Sequence, residues 1–567
     1  MNEINKIATE RQAVPSEPYK RYQIIIWLTV LLYALPLLLD LAANGWKRVT
    51  SYFAADVYYY LIVARNFANY GSFTFDQEFL TNGYHPLWQI LLGFFYHIFL
   101  VLELSKSSVL MAVFVINVLL LGSAIWLLGK AWILGTRQVS FLFLFLPIGI
   151  YGLFIARIIP AYGTLWSFTN GMESSLLIFL YALLFYLSVR YTPLLQSTQA
   201  LLLGIILSLI FLARLDHVFI PAGWLFFFFL QALFKPSKTS FKNAIFLITP
   251  FLMVLGIYLL VNYYFIGSPL PISGIQKSTF PHFDVVGKFN DFSHLLRDNS
   301  GTWAVARLWR YWQIVFPATI GLIAALWGII RLVFTKQLSS LDLTLSASGL
   351  SVLLLGLYNL TFVSIWGQGH WYFPVSILFT SLFAMYIGDF LLSRYFPQHN
   401  NVFLVFLSVF FVLIFFRFVY WNPDHNQRYA EFLAHSSNIL QHYGDELPKL
   451  IEFDDGIIGY ATDYPTLGGL GFTLDIEAMH AKQEERLLQL AYHRGYRRLA
   501  SFNYFLAYEL DEKSDSAFIA EKLNETHFLT PVETAPFTFS IEYKSEDGRF
   551  VIIRMELMEP IASTRPS

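Results

Sequence analysis

The chain has 567 residues, of which 56% are hydrophobic, 18% aromatic and only 14% charged. Soluble domains carry about 25% charged residues, so the composition points to a membrane protein, and a net charge of −1 argues against a global basic field for nucleic acid. Cysteine is absent, which excludes disulfides, thiolate zinc sites and thiol nucleophiles.

The first apolar run, Tyr22 to Leu39, is charge-free, long for a signal-peptide core and not followed by an A-x-A site. It is read as a retained signal anchor. A hydrocarbon core takes ~20 apolar residues per helix. Runs of about that length recur at 22–39, 107–129, 138–156, 191–213, 217–234, 243–264, 311–330, 343–365, 373–388 and 395–416, with a shorter one at 174–189. Hydropathy therefore predicts about eleven spans. Leu87–Leu102 is short, follows Pro86 and contains His97; it is expected to be a juxtamembrane or re-entrant helix.

Charge fixes the expected orientation. With the N-terminus in the cytoplasm, the inner segments carry Lys6, Arg11, Lys20 and Arg21, then Lys130 and Arg137, Arg190, then Lys235, Lys238 and Lys242, Arg331 and Lys336, and Arg394. That is the positive-inside pattern. Counting 87–102 as a span would place these basic loops outside. An odd number of spans then puts the C-terminus outside, in a bacterial inner (plasma) membrane. Lys47–Arg48, just after the first span, is the exception.

Two predicted outer loops, 42–108 and 265–310, are far longer than a connection needs and too aromatic for disorder. Beyond Tyr420 the chain becomes charged and has no span-length run. The expected architecture is a polytopic α-helical membrane domain, 1–421, followed by an extracytoplasmic soluble α/β domain, 422–567. In the latter, helices are predicted at 425–443 and 476–494. Strands are predicted at Lys449–Phe453, Ile457–Ala461, Arg497–Phe502, Phe537–Tyr543 and Arg549–Leu557.

The stretch Phe53–Trp88 is not a clean span and carries the most suggestive chemistry. Asp56 precedes a helical run that Gly71 would end. Its carboxylate serves either as an N-cap or as a general base at the membrane surface. Arg65 lies nine residues on, about 180° round the helix, and is expected to face headgroups. Tyr58, Tyr59 and Tyr60 form either an aromatic wall for a sugar ring or an interfacial belt. Asn82 and His85 follow in the same loop.

Other polar groups fall on the same side: Arg157, Glu173 in NGMESSL, Arg214 and Asp216 in FLARLDHVF, Lys277 after Pro269-Leu270-Pro271, and His370 in WGQGHWYF. Charges within or beside spans cost ~2.5–3.5 kcal/mol on the insertion scale and are functional candidates. The plainer alternative makes Arg157, Arg214 and Lys277 headgroup anchors, with Arg214 and Asp216 neutralising each other. No H-x-x-x-H spacing supports zinc, and Asp454-Asp455-Gly456 reads as a turn.

ADVYYYLIVARNFANYGSFTFDQEFLTNGYHPLW resembles the first outer loop of the GT-C superfamily of polyprenyl-phosphate-sugar-dependent glycosyltransferases, most of all the arabinofuranosyl- and mannosyltransferase-like branch. NGMESSL, ARLDHVF, YYFIGSPLPISGIQK and DDGIIGYATDYPTLGGLG are similar to that branch's G-M/L-E-T, R-x-D, YYG-x-x-LPN-x-x-x-K and D-x-G-x-x-GY segments. The resemblance runs from about 22 to about 475. Ala55 stands where the family often has a first acid, so Asp56 is single. This favours a base that works without metal, and no cofactor is expected.

The resemblance implies a donor sugar on a polyprenyl phosphate, an acceptor hydroxyl on a glycan, lipid or protein, and inversion at the anomeric carbon. It implies Asp56 as catalytic base. Lys277, Arg214, Arg157 and His370 would act on the donor phosphate, and Tyr58, Tyr59, Tyr60, Asn82, His85, Glu173 and Asp216 around the substrates. The competing readings are a transporter or flippase of a lipid-linked sugar, which calls for broken helices and midplane charges, and a scaffold whose C-terminal domain binds a partner.

Overall fold

The computed structural model describes residues 16–54, 56–136, 168–192, 195–234, 236, 238–290, 301–363, 372–395 and, apart from a few positions, 440–558 together with 433 and 436. In chain order the membrane part consists of α1 (Ser16–Asn44), α2 (Trp46–Tyr52), α3 (Val57–Tyr70), α4 (Pro86–Val101), α5 (Lys106–Thr136), α6 (Ser174–Tyr191) and α7 (Ser197–Ala213). A 3-10 turn (Leu215–Val218) leads into α8 (Phe219–Phe234), α9 (Lys238–Ile266), α10 (Ile272–Lys277), α11 (Gly301–Thr335), α12 (Ser340–Phe362) and α13 (Pro374–Tyr395).

Among the described residues eight segments are long and apolar enough to cross a membrane. Each lies over one of the expected spans. A helix satisfies its own backbone groups, which a hydrocarbon interior requires. The remaining side chains are sorted by neighbour: Leu252, Met253, Ile257 and Leu260 of α9 are exposed, facing where lipid would be. Small residues bring helices together. A Cβ on Gly204 of α7 would run into the Leu247 carbonyl of α9, and one on Gly321 of α11 into the Gly349 carbonyl of α12.

The expected span 191–213 is a shorter helix, Ser197–Ala213, opened by a capping box between Gln196 and Gln199. The expected spans 138–156 and 395–416, most of the expected helix 425–443, and Asp454-Asp455 lie outside the described residues.

Leu87–Leu102 forms the short helix α4, with Pro86 in its first turn. Trp88, Gln89, Leu92 and Tyr96 are buried, while Ile90, Phe94, Ile98 and Val101 are exposed. That is one buried and one apolar outer face, as a helix lying against a bilayer would have. Arg48, the sequence's exception to the charge rule, is neutralised. Its Nε lies 2.7 Å from Asp40 Oδ2, and Asp40 also accepts from Tyr52 Oη at 2.6 Å.

The soluble part is a five-stranded sheet of order β2-β1-β3-β5-β4, built from β1 (Leu450–Glu452), β2 (Thr466–Gly468), β3 (Arg498–Ser501), β4 (Phe537–Lys544) and β5 (Val551–Leu557). β1 runs parallel to β2 and β3, and β5 antiparallel to β3 and β4. Two expectations fail. Ile457–Thr462 is a helix, α14, not a strand. A short apolar run does not distinguish the two, and Gly456 and Asp463, both at positive φ, bracket it as helix ends. The single helix expected over 476–494 is two, α15 (Ile476–Gln483) and α16 (Leu487–His493), broken where Glu485 adopts φ 56°. The strand β2 and a helix at Ser516–Glu525 were not anticipated.

The soluble part docks on α3 through α14. A Cβ on Gly456 would lie 2.8 Å from the Tyr59 ring and 3.0 Å from its backbone nitrogen, and one on Gly459 would lie 3.1 Å from Ile62. Arg65 points into this junction: it is buried, pairs with Asp463 and donates to the Gly459 carbonyl at 3.5 Å. It does not face headgroups alone, as the sequence leads one to expect, because the docked domain supplies these partners.

Gly456→Ala should therefore lower the melting temperature more than Gly71→Ala. Both residues sit at positive φ, but only Gly456 has neighbours within 4 Å. Left-handed strain costs ~1–2 kcal/mol, and overpacking at Gly456 should add ~1–3 kcal/mol. Equal shifts in thermal unfolding would contradict the tight α14–α3 contact.

Candidate active site

Two loop segments are fastened together at the end of the bundle that carries the soluble part. The Ala54 N–H donates to the Asn170 carbonyl at 2.9 Å. Gly171, at φ 80°, lets NGME lie flat there, since a Cβ would come within 2.7 Å of Val57 and 3.0 Å of Phe53. This places Glu173, at the start of α6, beside the turn that bears Asp56.

A cavity of about 590 Å³ opens at this junction, within the range of small-molecule sites. It is lined by Asp56, Tyr59, Tyr60, His85, Glu173, Arg214, Asp216 and Lys277 from the sequence-predicted set. Tyr58 does not line it; its ring turns to Tyr460, 5.5 Å away, in α14. Asn82 does not line it either. It donates to Asn262 at 2.8 Å and to the Leu270 carbonyl at 3.3 Å, and accepts from the Ile272 N–H at 3.0 Å. It thus pins the start of α10, the helix that ends in Lys277. Arg157 and His370 lie outside the described residues.

Asp56 precedes α3, but its side chain makes no capping hydrogen bond. Burial raises its pKa, opposed by the charges of Lys277 and Arg214. A carboxylate at a helix start that leaves the helix uncapped has its oxygens available to something else.

Arg214 is the most enclosed cation of the site, 1% exposed. Its Nη1 lies 2.5 Å from Glu173 Oε1 and its Nε 3.0 Å from Asp216 Oδ1. Its guanidinium stacks 4.2 Å from the Tyr372 ring centroid. Lys277 Nζ donates to the same residue's hydroxyl at 3.0 Å. Tyr372 therefore carries one cation on its face and another on its hydroxyl. Sequence reasoning misses it, although it stands two residues from His370 in WGQGHWYF. Burial disfavours charge on Lys277, but Tyr372 and then Asp56 outweigh it and raise the pKa.

His85 is held in one tautomer. Its Nδ1 accepts the Leu215 N–H at 3.3 Å, so Nε2 carries the proton and faces Glu173 Oε1 at 3.6 Å. Burial, then Arg214, lower its pKa to about 3. Neutral imidazole is a polar wall here, not a third cation. Glu173 is fully buried, and burial raises its pKa against the pull of Arg214.

Phe211, Leu255, Leu259 and Phe280 give the same cavity an apolar wall. The arrangement can hold an anionic group at Lys277 and Arg214, keep an alkyl chain along α9, and offer to a hydroxyl a carboxylate that makes no capping bond. Among the described residues no group of three or more His, Asp or Glu side chains is placed to hold a metal ion.

No protein-family model and no curated protein matches the chain. Solved structures are similar to it, among them these two. The oligosaccharyltransferase of Archaeoglobus fulgidus, in complex with zinc and sulfate, has 14% identity and a TM-score of 0.46 over 93% of this chain and 72% of that one. ArnT from Cupriavidus metallidurans, bound to undecaprenyl phosphate, has 11% identity and a TM-score of 0.44 over 94% of this chain and 97% of that one.

Removing Arg214 would leave the buried carboxylate of Glu173 and the partly exposed one of Asp216 without their shared cation. Breaking a buried pair from one side costs ~3–5 kcal/mol, so Arg214→Ala should unfold at a clearly lower temperature in detergent. Adding Glu173→Gln should recover part of the loss, because it removes one of the orphaned charges. No recovery in the double variant would mean that the Glu173–Arg214 pair contributes little.

Proposed function

We propose that the protein is an integral membrane glycosyltransferase of the GT-C type that moves a sugar from a polyprenyl-phosphate donor to the hydroxyl of a glycan, lipid or protein acceptor. The observation that carries this reading is the placing of Asp56, uncapped and half-buried, in one cavity with Lys277 and Arg214 and beside an apolar wall. The resemblance of ADVYYYLIVARNFANYGSFTFDQEFLTNGYHPLW to the first outer loop of that superfamily supports it.

In the proposed reaction the acceptor oxygen attacks the anomeric carbon from the face opposite the phosphate, so the centre inverts. Its proton passes to Asp56. The bond from the anomeric carbon to the phosphate oxygen breaks, and its electron pair leaves with the lipid phosphate, stabilised by Lys277 and Arg214. Glu173 and Asp216 orient Arg214, and His85 with Tyr59 and Tyr60 line the space for the sugar. The scheme requires no cofactor and no metal. A flippase of the same lipid-linked sugar would use charges near the middle of spans. Asp56, Glu173, Arg214 and Lys277 instead stand at helix ends or in turns.

Purified protein should release polyprenyl phosphate from a labelled polyprenyl-phosphate sugar. Asp56→Asn should fold, bind donor and lose ~10²–10⁴-fold in turnover. Retention of more than about a tenth of wild-type turnover, well short of that range, would remove Asp56 as the base. The acid limb of the rate profile should lie above the ordinary carboxylate range, because burial raises the Asp56 pKa. Lys277→Met should move it to still higher pH, since Lys277 favours the ionised form; a limb that moves down would refute the coupling.

The basic loops support a further part of the proposal, an active site outside the cytoplasm. A phosphatase fused after Ser567 should be active and a fluorescent protein fused there dark. The reverse pattern would overturn this orientation.

A further inference from the structure

A second cavity, of about 320 Å³, lies between α3, the end of α4, the start of α5 and the residue that closes α14. It shares no lining residue with the cavity of Asp56, and the reaction proposed above makes no use of it. Its charged members are Arg65, Lys106 and Asp463. Lys106 Nζ lies 2.8 Å from Asp463 Oδ2, and Arg65 Nη1 pairs with the other carboxylate oxygen. Two cations share one carboxylate, so the group carries one surplus positive charge.

The cations are unequal to their carboxylate in burial. The Arg65 side chain is 8% exposed and that of Asp463 54%. The Arg65 Nη2 is buried with no hydrogen-bond partner among the described residues. An unsatisfied buried donor is costly, and more so when it is charged. The same cavity has an apolar lip. Leu100 and Leu104 line it and are 40% and 37% exposed, and Val101 and Leu102 beside them are more exposed still. Lys106 is the first residue of the span Lys106–Thr136, so the cations stand where a span meets the bilayer surface. Tyr70, on the other side, is exposed as interfacial aromatics are.

We propose that this cavity binds a phosphate-bearing anion, and that the anion is the headgroup of an anionic phospholipid. Arg65 and Lys106 offer charge-assisted hydrogen bonds to phosphate oxygens. Leu100 and Leu104 take the first methylenes of the acyl chains. Asp463 is the internal competitor, because it occupies the same two cations when no phosphate is there. The helix α14 that Asp463 closes is the one that packs on Tyr59, so an occupied site would bear on the docking of the soluble part.

The test uses the full-length protein in neutral detergent. Thermal unfolding is followed while short-chain phosphatidylglycerol, short-chain phosphatidylcholine or inorganic phosphate is added. Phosphatidylglycerol should stabilise the protein and phosphatidylcholine should not. Lys106→Gln should weaken the apparent affinity for phosphatidylglycerol about tenfold, as expected for one lost charge-assisted bond. Asp463→Asn should tighten it, because the competing charge is gone. Damage to the fold cannot produce these opposite signs together. Equal stabilisation by inorganic phosphate would make the ligand a free anion and overturn the lipid assignment. No response to either anion, or the same direction of change in both variants, would reduce the cavity to a water-filled gap at a domain junction.

Discussion

The arrangement of the cavity depends on one enclosed guanidinium. Arg214 ends α7 and is held by Glu173 from the start of α6, by Asp216 from the turn before α8 and by the face of Tyr372 ahead of α13. Three separate pieces of chain, around Glu173, Arg214–Asp216 and Tyr372, meet at one side chain. A planar fork with several donors can make these contacts together; a lysine ammonium could not. Because these partners are charged or aromatic and almost no water reaches Arg214, each contact constrains the others. The helix ends cannot drift without stranding a charge, and this is a strong way to fix the mouth of a helical bundle.

The soluble part extends this constraint. It contributes Thr473 to the lining of the cavity, and a Cβ on Gly471 would come within 2.6 Å of the Gln276 amide, next to Lys277. Its helix α14 presses on the backbone of α3 directly behind Tyr59. The first outer loop is clamped to it as well, with Thr81 donating to the Leu474 carbonyl at 2.9 Å and the Arg494 guanidinium 3.8 Å from the Phe79 ring centroid. The soluble part therefore touches both sides of the cavity, near Asp56 and near Lys277. A role confined to a distant recognition surface does not fit these contacts.

Much of the helical framework was legible in the sequence because lipid imposes a simple rule: a charge-free run of sufficient length must form a helix. The short apolar runs of the soluble part obey no such rule. IIGYAT became α14 because its ends are set by Gly456 and Asp463 and by the surface of α3, neither of which is visible in periodicity. The break at Glu485 likewise has no strong local signal. At the site, acids and bases near span ends stood out by cost alone, and Asp56, Glu173, Arg214, Asp216 and Lys277 do share a cavity. What sequence did not reveal is the pairing. Tyr372 is not legible because an aromatic in an aromatic-rich chain carries no distinguishing signal, and neither is the pairing of Arg65, because its partner lies 398 residues away. Tyr58 and Tyr59 are adjacent in sequence, yet one packs on the soluble part and the other lines the cavity. The pitch of a helix separates them by about 100°.

The charges of the cavity also link the two halves of the proposed reaction. Among the described groups that line it, Asp56, Glu173 and Asp216 face Arg214 and Lys277, and His85 is neutral. Glu173 and Asp216 are absorbed by Arg214, which leaves Lys277 as the closest counterweight to Asp56. Burial raises the Asp56 pKa and makes it a stronger base, while Lys277 and Arg214 act in the opposite sense. Those same two cations are the groups offered to the leaving phosphate. As a phosphate draws on them, less of their field remains for Asp56, and its affinity for a proton rises. In the proposed reaction, charge moving onto the leaving group would therefore strengthen the base that takes the acceptor proton, through the cations that both must share.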